Sequence, residues 1–128
     1  MKKPEQKHIE IALAIYRCSV IVTWEQDIDK VIKWAQKQGV KISDDWKGEF
    51  TECRKKATGT TLMLGDENTD ILVWLKVRPK KASEYGVLYH ELYHATDRIA
   101  EDHNLKEGEA RAYIFEFLAN ECNRVLWK

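Results

Sequence analysis

His90, Glu91 and His94 form the pattern H-E-x-x-H, which contains the residues of this chain best suited to chemistry. Positions i and i+4 of a helix lie on one side of it, one turn apart. Two imidazoles placed in this way can bind one metal ion, each at about 2.0–2.1 Å. Glu91 follows the first histidine by about 100° around the axis, so its carboxylate lies beside the ion and near a bound water. The pattern predicts a zinc ion bound by His90 and His94, with Glu91 as the general base that takes a proton from the activated water.

A third metal ligand must come from elsewhere in the chain, because a hydrolytic zinc ion usually has three protein ligands and one open position. The candidates are His103, Glu107, Glu109 and Glu116. Glu107 and Glu109 are two residues apart at the start of a predicted helix and point in nearly opposite directions, so only one of them can face the ion. Glu109 is favoured because small neighbouring residues would let two helices approach closely. Glu116 and His103 remain alternatives.

The reaction also needs a group that stabilises a developing oxyanion. Tyr113 lies one helical turn after Glu109 and is predicted to have this role, with His103 as the alternative. Tyr113 fits equally well as a half-buried aromatic residue between two helices.

The elements that must position these residues can be predicted from hydrophobic periodicity. Apolar residues alternate over 8–24, which predicts either one long bent strand or a tight hairpin. Residues 27–38 predict a helix that ends at Gly39. Residues 43–56 are ambiguous between a turn and the start of a helix.

The second half of the chain predicts a hairpin followed by two helices. Strands are expected at 60–64 and 71–77, joined by a turn-forming connector. Ser83 is a suitable N-cap for a helix over about 84–102, and a final helix runs from about Glu107 almost to the C-terminus. Because strands come first and long helices last, we expect an α+β fold.

Composition limits the kind of protein that this chain can be. Its 128 residues form a single predicted domain, 1–128, and 44% of them are apolar. The balance of 21 basic and 21 acidic residues argues against nucleic acid as the main partner, because binding phosphates needs a surplus of cations. No apolar run is long enough to span a membrane, and the apolar stretch 9–22 is predicted to be a strand and not a signal peptide. Three widely separated cysteines indicate a reducing, cytoplasmic compartment.

The segment from His90 to Tyr113, with the hairpin before it, resembles the gluzincin branch of the zincin metallopeptidases, in particular their minimal single-domain forms. The resemblance implies a zinc ion held by His90, His94 and Glu109, with Glu91 as general base. It implies a zincin-like α+β fold, in which a small mixed or antiparallel sheet packs against the H-E-x-x-H helix and a C-terminal helix. It also implies that an edge strand, here expected at 71–77, pairs antiparallel with an extended peptide substrate.

The leading hypothesis is therefore a zinc-dependent metallopeptidase that acts on peptides or proteins. No second subdomain is available to wall the cleft, so the cleft is expected to be shallow or completed by a partner protein. One alternative is a non-catalytic metal-binding module of zincin-like fold, with a regulatory or interaction role. Another is a metal-free α+β adaptor in which the histidine pair is accidental.

Overall fold

The computed structural model describes residues 7–43, 45–64 and 70–127. The elements follow the chain in the order β1, a short 3-10 helix, β2, α1, α2, β3, β4, α3 and α4. Their bounds are β1 His8–Leu13, 3-10 helix Ala14–Tyr16, β2 Cys18–Thr23, α1 Ile28–Lys37, α2 Trp46–Arg54, β3 Gly59–Met63, β4 Ile71–Leu75, α3 Ala82–Asp102 and α4 Gly108–Leu126. None of the helices in these ranges is both long and apolar enough to cross a bilayer.

The alternating segment near the N-terminus forms a hairpin and not one bent strand. β1 and β2 pair antiparallel, with Leu13 opposite Cys18. The 3-10 helix turns the chain between them, and Arg17 closes the turn with a left-handed backbone (φ 53°). Ile9, Ile11 and Leu13 are buried while the residues between them are not, as the period of two predicted.

The four strands form one mixed sheet in the order β1-β2-β4-β3. β4 pairs antiparallel with β3 and parallel with β2. All five β4 residues are buried, because neighbouring strands flank β4 on both sides and helices cover both faces. The prediction that 71–77 is an edge strand was therefore wrong, and the edge strand on this side of the sheet is β3.

The helices cover both faces of the sheet. Apolar side chains of α1 and α2 pack with Ile21, Leu72 and Trp74 on one face. Side chains of α3 and α4 pack on the other face with Val22 and Val73. The coarse prediction of an α+β fold is confirmed, with four α-helices and a mixed four-stranded sheet in the described ranges. The packing of the sheet against α3 and α4 was expected, and the second helical layer was not.

Two helix starts show how local sequence sets the element bounds. Asp27 caps α1, because its side chain accepts a hydrogen bond from the backbone N–H of Asp29. α3 begins at Ala82 instead of following a Ser83 cap. The Glu84 carboxylate accepts from the backbone N–H groups of Lys80 (3.0 Å) and Lys81 (3.2 Å), which extends the helix start backwards.

Candidate functional site

Helix α3 brings the two predicted histidine ligands together. The Nε2 atoms of His90 and His94 are 3.1 Å apart. Their rings meet edge to face, with centroids 4.7 Å apart and planes at 83°. This distance is that of a hydrogen bond, in which one ring N–H donates to the other ring nitrogen. Both side chains are exposed to solvent. The spacing of four residues thus produces the convergence that the sequence predicted.

Glu91 lies beneath the pair with its carboxylate almost fully shielded from solvent. Its side chain is 10% exposed, and Oε2 lies 4.0 Å from His90 Nε2. The Thr61 hydroxyl, on β3, lies 2.8 Å from Glu91 Oε1 and donates a hydrogen bond to it. In the described part of the chain, no Lys or Arg forms an ion pair with this carboxylate. Thr61 therefore fixes Oε1 of the carboxylate. The other oxygen, Oε2, faces His90.

Close packing of α3 on β3 holds Glu91 in this position. A Cβ atom on Gly59 would lie 2.8 Å from Val87 Cγ1 and 3.1 Å from Glu91 Cγ. The absence of a side chain at Gly59 therefore lets the helix approach the strand. This approach keeps Glu91 within reach of Thr61, two residues further along β3.

The pairing of β3 with β4 determines which backbone groups of β3 are free. Leu64 N–H donates to the Asp70 carbonyl, and Lys76 N–H donates to the Thr58 carbonyl, both at 3.0 Å. In an antiparallel ladder, alternate residues direct their N–H and C=O groups to the partner strand. Even-numbered residues of β3 therefore bond to β4, and odd-numbered ones direct their backbone groups away from the sheet.

A shallow groove of about 400 Å³ runs between this free edge and α3. The odd-numbered residues Gly59, Thr61 and Met63 border it, and Glu91 and His94 lie in its wall. Arg98, one turn after His94, also lines the groove. Its Nε atom lies 3.6 Å from Asp102 Oδ1. The groove thus combines an unpaired strand edge, an imidazole, a buried carboxylate and a cation.

The histidine pair fits a divalent metal ion, but only as two ligands. Two imidazole nitrogens bound tetrahedrally to one zinc ion lie about 3.3 Å apart, close to the observed 3.1 Å. Among the residues that the structure describes, no third protein ligand lies at the pair. Within residues 7–43, 45–64 and 70–127, no three His, Cys, Asp or Glu side chains form a group that could hold a metal ion.

The hairpin of α3 and α4 explains why Glu109 does not complete the site. Arg111 on α4 pairs with Asp97 on α3, and Tyr89 donates to Asn123 (2.9 Å). Later residues of α4 thus lie beside earlier residues of α3, so the helices are antiparallel. Glu109 precedes Arg111 and lies beyond the Asp97 contact, at the end of α3 away from the histidines. The short connection between the helices prevents α4 from sliding further along α3.

The structure also separates Tyr113 from the pair. Tyr113 is 64% exposed and lines a different groove, beside Ile15 and Phe117. It is neither at the histidines nor buried between α3 and α4, because its position on α4 faces the turn after β1. This position does not bring its hydroxyl to an oxyanion near Glu91.

Among the described residues, none of the alternative third ligands forms a metal-binding group with the pair. Glu107 is the N-cap residue of α4, and Glu116 is exposed on that helix. His103 packs against Tyr16, with ring centroids 4.9 Å apart. Its Nε2 atom is buried and has no hydrogen-bond partner among the described residues.

The sequence did not identify Gly59, Thr61 or Arg98 as residues of the groove. Arg98 could have been found, because it continues the series His90, His94 at a spacing of four. Gly59 and Thr61 carry no such signal, since their role depends on the contact between β3 and α3. That contact joins segments that are far apart in the sequence.

Comparison with known proteins does not supply a family. No protein-family model, no curated protein and no solved structure matches this chain. The gluzincin resemblance rested on a trio of His90, His94 and Glu109, and the described residues contain no such metal-binding trio. The assignment to the gluzincins was therefore wrong. The chain has an α+β fold with a histidine pair on α3, beside a groove between α3 and β3.

Proposed function

We propose that this chain is a metal-dependent peptidase. Its divalent ion, for which zinc is the first candidate, has His90 and His94 as its two side-chain ligands. The observation that carries the proposal is the convergence of their Nε2 atoms to 3.1 Å beside the shielded carboxylate of Glu91. The remaining coordination positions are left to solvent and substrate.

The free edge of β3 supports a peptide as the substrate. Gly59, Thr61 and Met63 direct backbone groups along the groove, and these groups have no backbone partner among the described residues. An extended peptide can add to such an edge as a further strand, and its backbone then supplies much of the affinity. Antiparallel addition is favoured because antiparallel pairing is slightly more stable per residue. A peptide docked in this way passes directly beside Glu91 and His94.

Glu91 is the proposed general base. Thr61 holds one carboxylate oxygen, so the other can accept a proton from an attacking water and later deliver it to the leaving amine. Arg98 supplies positive charge in the groove where the carbonyl oxygen becomes negative. A divalent ion bound at the histidine pair would lower the pKa of water and polarise the carbonyl group.

Metal content tests the first half of this proposal. Protein purified without chelator or His-tag is expected to bind about one zinc ion per chain, as is usual for a single site. His90→Gln and His94→Gln are each expected to remove that binding. Glu91→Gln is expected to keep it, because the carboxylate is not a ligand. Absence of zinc binding, with no change in melting temperature on adding zinc, would favour the metal-free adaptor.

Hydrolysis of a generic peptide library tests the second half. Glu91→Gln preserves the size of the side chain and its ability to accept from Thr61, and it removes the base. We expect the rate to fall by about 10²–10⁴-fold, the usual contribution of general acid–base catalysis. Glu101→Gln, at an exposed position on the same helix, is the matched control and should leave the rate unchanged.

The second candidate function is a metal-binding regulatory or interaction module without turnover. The observation that favours it is that two histidines, and no third ligand, converge in the described chain. Stoichiometric zinc together with hydrolysis that is absent, or equal in wild type and Glu91→Gln, would identify this function and exclude the peptidase.

A further inference from the structure

A second cavity, of about 480 Å³, lies at the ends of β3 and β4 and carries a concentration of positive charge. We call it the basic pocket. Its basic lining residues are Arg54, Lys55, Lys56 and Lys76, and none of its lining residues is acidic. The whole chain has no net charge, so the positive charge of the pocket is a local excess. Such an excess attracts an anionic group.

The positive charge of the basic pocket is only partly compensated. Lys55 Nζ pairs with Glu52 at 2.8 Å, although both side chains are largely exposed. Lys56 and Lys76 form no ion pair within the described ranges of the chain. Two ammonium groups are therefore available to a ligand that enters from solvent.

Hydrogen bonds fix the walls of the pocket. Arg54, at the end of α2, donates to the Gln26 carbonyl. The Gln26 amide in turn donates to the carbonyls of Lys76 (2.9 Å) and Trp24 (2.8 Å). α2 is thus linked to the end of β4, and the basic side chains project from a defined framework.

The basic pocket lies on the path of a peptide that pairs with β3. Thr58 bonds to Lys76 and continues the ladder one residue before Gly59. Side chains alternate between the faces of a sheet, so Thr58 and Lys76 share the face of Leu62 and Trp74, which α2 covers. A peptide residue in register with Thr58 therefore points towards the basic pocket. Its neighbours in the peptide point to the α3 face.

We propose that the basic pocket is a specificity subsite for an acidic side chain of the substrate. With antiparallel docking, the Asp or Glu lies three residues C-terminal to the peptide residue that faces Thr61, about 10 Å along the strand. The substrate class is thus an extended peptide with an acidic residue on the C-terminal side of the reacting bond. This inference rests on the proposed peptidase function and on the docking of its substrate along β3.

A positional scan tests the subsite through binding alone. The probes are fluorescein-labelled peptides of Thr, Val and Ala in which one Glu is moved along successive positions, with Gln at the same position as reference. Anisotropy is measured at low salt on zinc-loaded Glu91→Gln protein, which removes turnover. We expect Glu to bind about two- to fivefold more tightly than Gln at one position, a size typical of exposed charge pairs. At the two adjacent positions, whose side chains face α3, we expect no gain.

Charge variants test whether the preference for Glu over Gln depends on the basic pocket. The double variant Lys56→Gln/Lys76→Gln should abolish the gain from Glu, and added salt should reduce it in the unmodified pocket. Lys106→Gln, in the loop between α3 and α4, is the control and should keep the gain. The subsite is excluded if Glu still binds more tightly than Gln in the double variant, or if the gain in affinity is equal at every position of the peptide. A single-stranded oligonucleotide that competes more strongly than the acidic peptide overturns it in favour of nucleic acid.

The scan also separates this inference from the function beneath it. Protein that binds acidic peptides at the pocket but never hydrolyses them keeps the subsite and loses the peptidase assignment. Protein that hydrolyses peptides by means of Glu91 without any preference for Glu keeps the peptidase assignment and loses the subsite.

Discussion

The contact between Thr61 and Glu91 is the smallest unit on which the groove depends. A buried carboxylate without a hydrogen bond is costly, and the Thr61 hydroxyl is its protein donor among the described side chains. The same contact fixes which carboxylate oxygen faces His90. Thr61 is thus a positioning residue, which acts on the reaction through Glu91.

Replacement of Thr61 separates the hydroxyl from the shape of the side chain. Thr61→Val leaves the Glu91 carboxylate without its donor, and we expect the free energy of unfolding to fall by about 1–3 kcal/mol at neutral pH. Urea unfolding measures the loss. Thr61→Ser retains the hydroxyl and should recover most of the stability and any peptidase activity. Equal free energies of unfolding for Thr61→Val and Thr61→Ser would show that the hydrogen bond has no role in holding Glu91.

His8 is a second residue whose ionisation matters for stability. Its ring stacks on Trp34, with centroids 4.5 Å apart, and its Nδ1 lies 2.8 Å from Thr23 Oγ1. Burial lowers the pKa of His8 below its ordinary value of 6.5, and nearby Lys7 adds to this effect while Glu25 opposes it. The folded protein therefore holds His8 neutral at pH values where the unfolded chain has begun to bind a proton.

The free energy of unfolding should therefore fall as the pH is lowered from about 7.5 to about 5.5. Well above the ordinary pKa of 6.5, both states hold neutral His8, and its contribution is complete. Below that value the unfolded chain gains the proton first, until the pH passes the lower pKa of the folded state. Urea titrations at both pH values measure the change, and His8→Gln should lose the part due to His8. Equal pH dependence in wild type and His8→Gln would contradict this account.

At the scale of elements, the approach of α3 to β3 is set by a glycine on the strand. Gly59 lies where a Cβ would meet Val87, Glu91 and the Trp74 carbonyl, the last at 3.3 Å. By contrast, Gly86 lies within α3, and a Cβ there would meet no atom within 4 Å. A side chain at Gly59 would therefore clash, whereas one at Gly86 would have room, although the two glycines lie on elements that pack together.

Alanine substitutions exploit this contrast. Gly59→Ala should push β3 away from α3, lower the free energy of unfolding by about 1–3 kcal/mol and weaken peptide hydrolysis. Gly86→Ala should raise the free energy of unfolding by about 0.5–1 kcal/mol, because alanine is the better helix former. Urea unfolding and peptide hydrolysis measure both variants. Equal stability of the two variants would show that the Gly59 contact is not tight.

Most elements could be predicted from the sequence, because periodicity and caps are local signals. The helix beginning after Asp27 and the two long C-terminal helices were found within a few residues of their observed bounds. The order of the strands could not be predicted. β2 pairs in parallel with β4 across a long stretch of chain, and no local pattern reveals which neighbour a buried strand will choose.

The same distinction applies to the candidate site. The H-E-x-x-H spacing was enough to predict that His90 and His94 converge, because one helix fixes both positions. The place of Glu109 depends on where α4 lies along α3, which the Asp97–Arg111 contact and the short loop determine. Sequence reasoning can therefore predict pairs within an element more reliably than trios built across elements.

At the scale of the whole molecule, the two buried cysteines report on the integrity of the core between the sheet and the α3/α4 layer. Cys18 and Cys122 are buried, Cys53 is exposed on α2, and none of the three is in a disulfide. Burial, with a smaller effect of Glu121, raises the pKa of Cys122 to about 12. The thiolate is the reactive form, so Cys122 should be inert while the fold is intact.

Thiol labelling at about pH 8 should therefore modify Cys53 alone in the native protein and all three cysteines in denaturant. Mass spectrometry of the labelled chain counts the modified sites. Cys53→Ser should remain unlabelled until it is unfolded. Rapid native labelling of Cys122 would mean that α4 separates from the sheet under ordinary conditions.

The parallel pairing of β2 with β4 has a consequence for synthesis on the ribosome. When β2 emerges, its only available partner in the sheet is β1, and an isolated two-stranded hairpin is marginally stable. The strand that completes the centre of the sheet is translated much later, after α1, α2 and β3. The nascent chain therefore cannot assemble the groove until β4 and α3 have both emerged. Any hydrolytic activity must accordingly wait for these two elements and not only for the N-terminal hairpin.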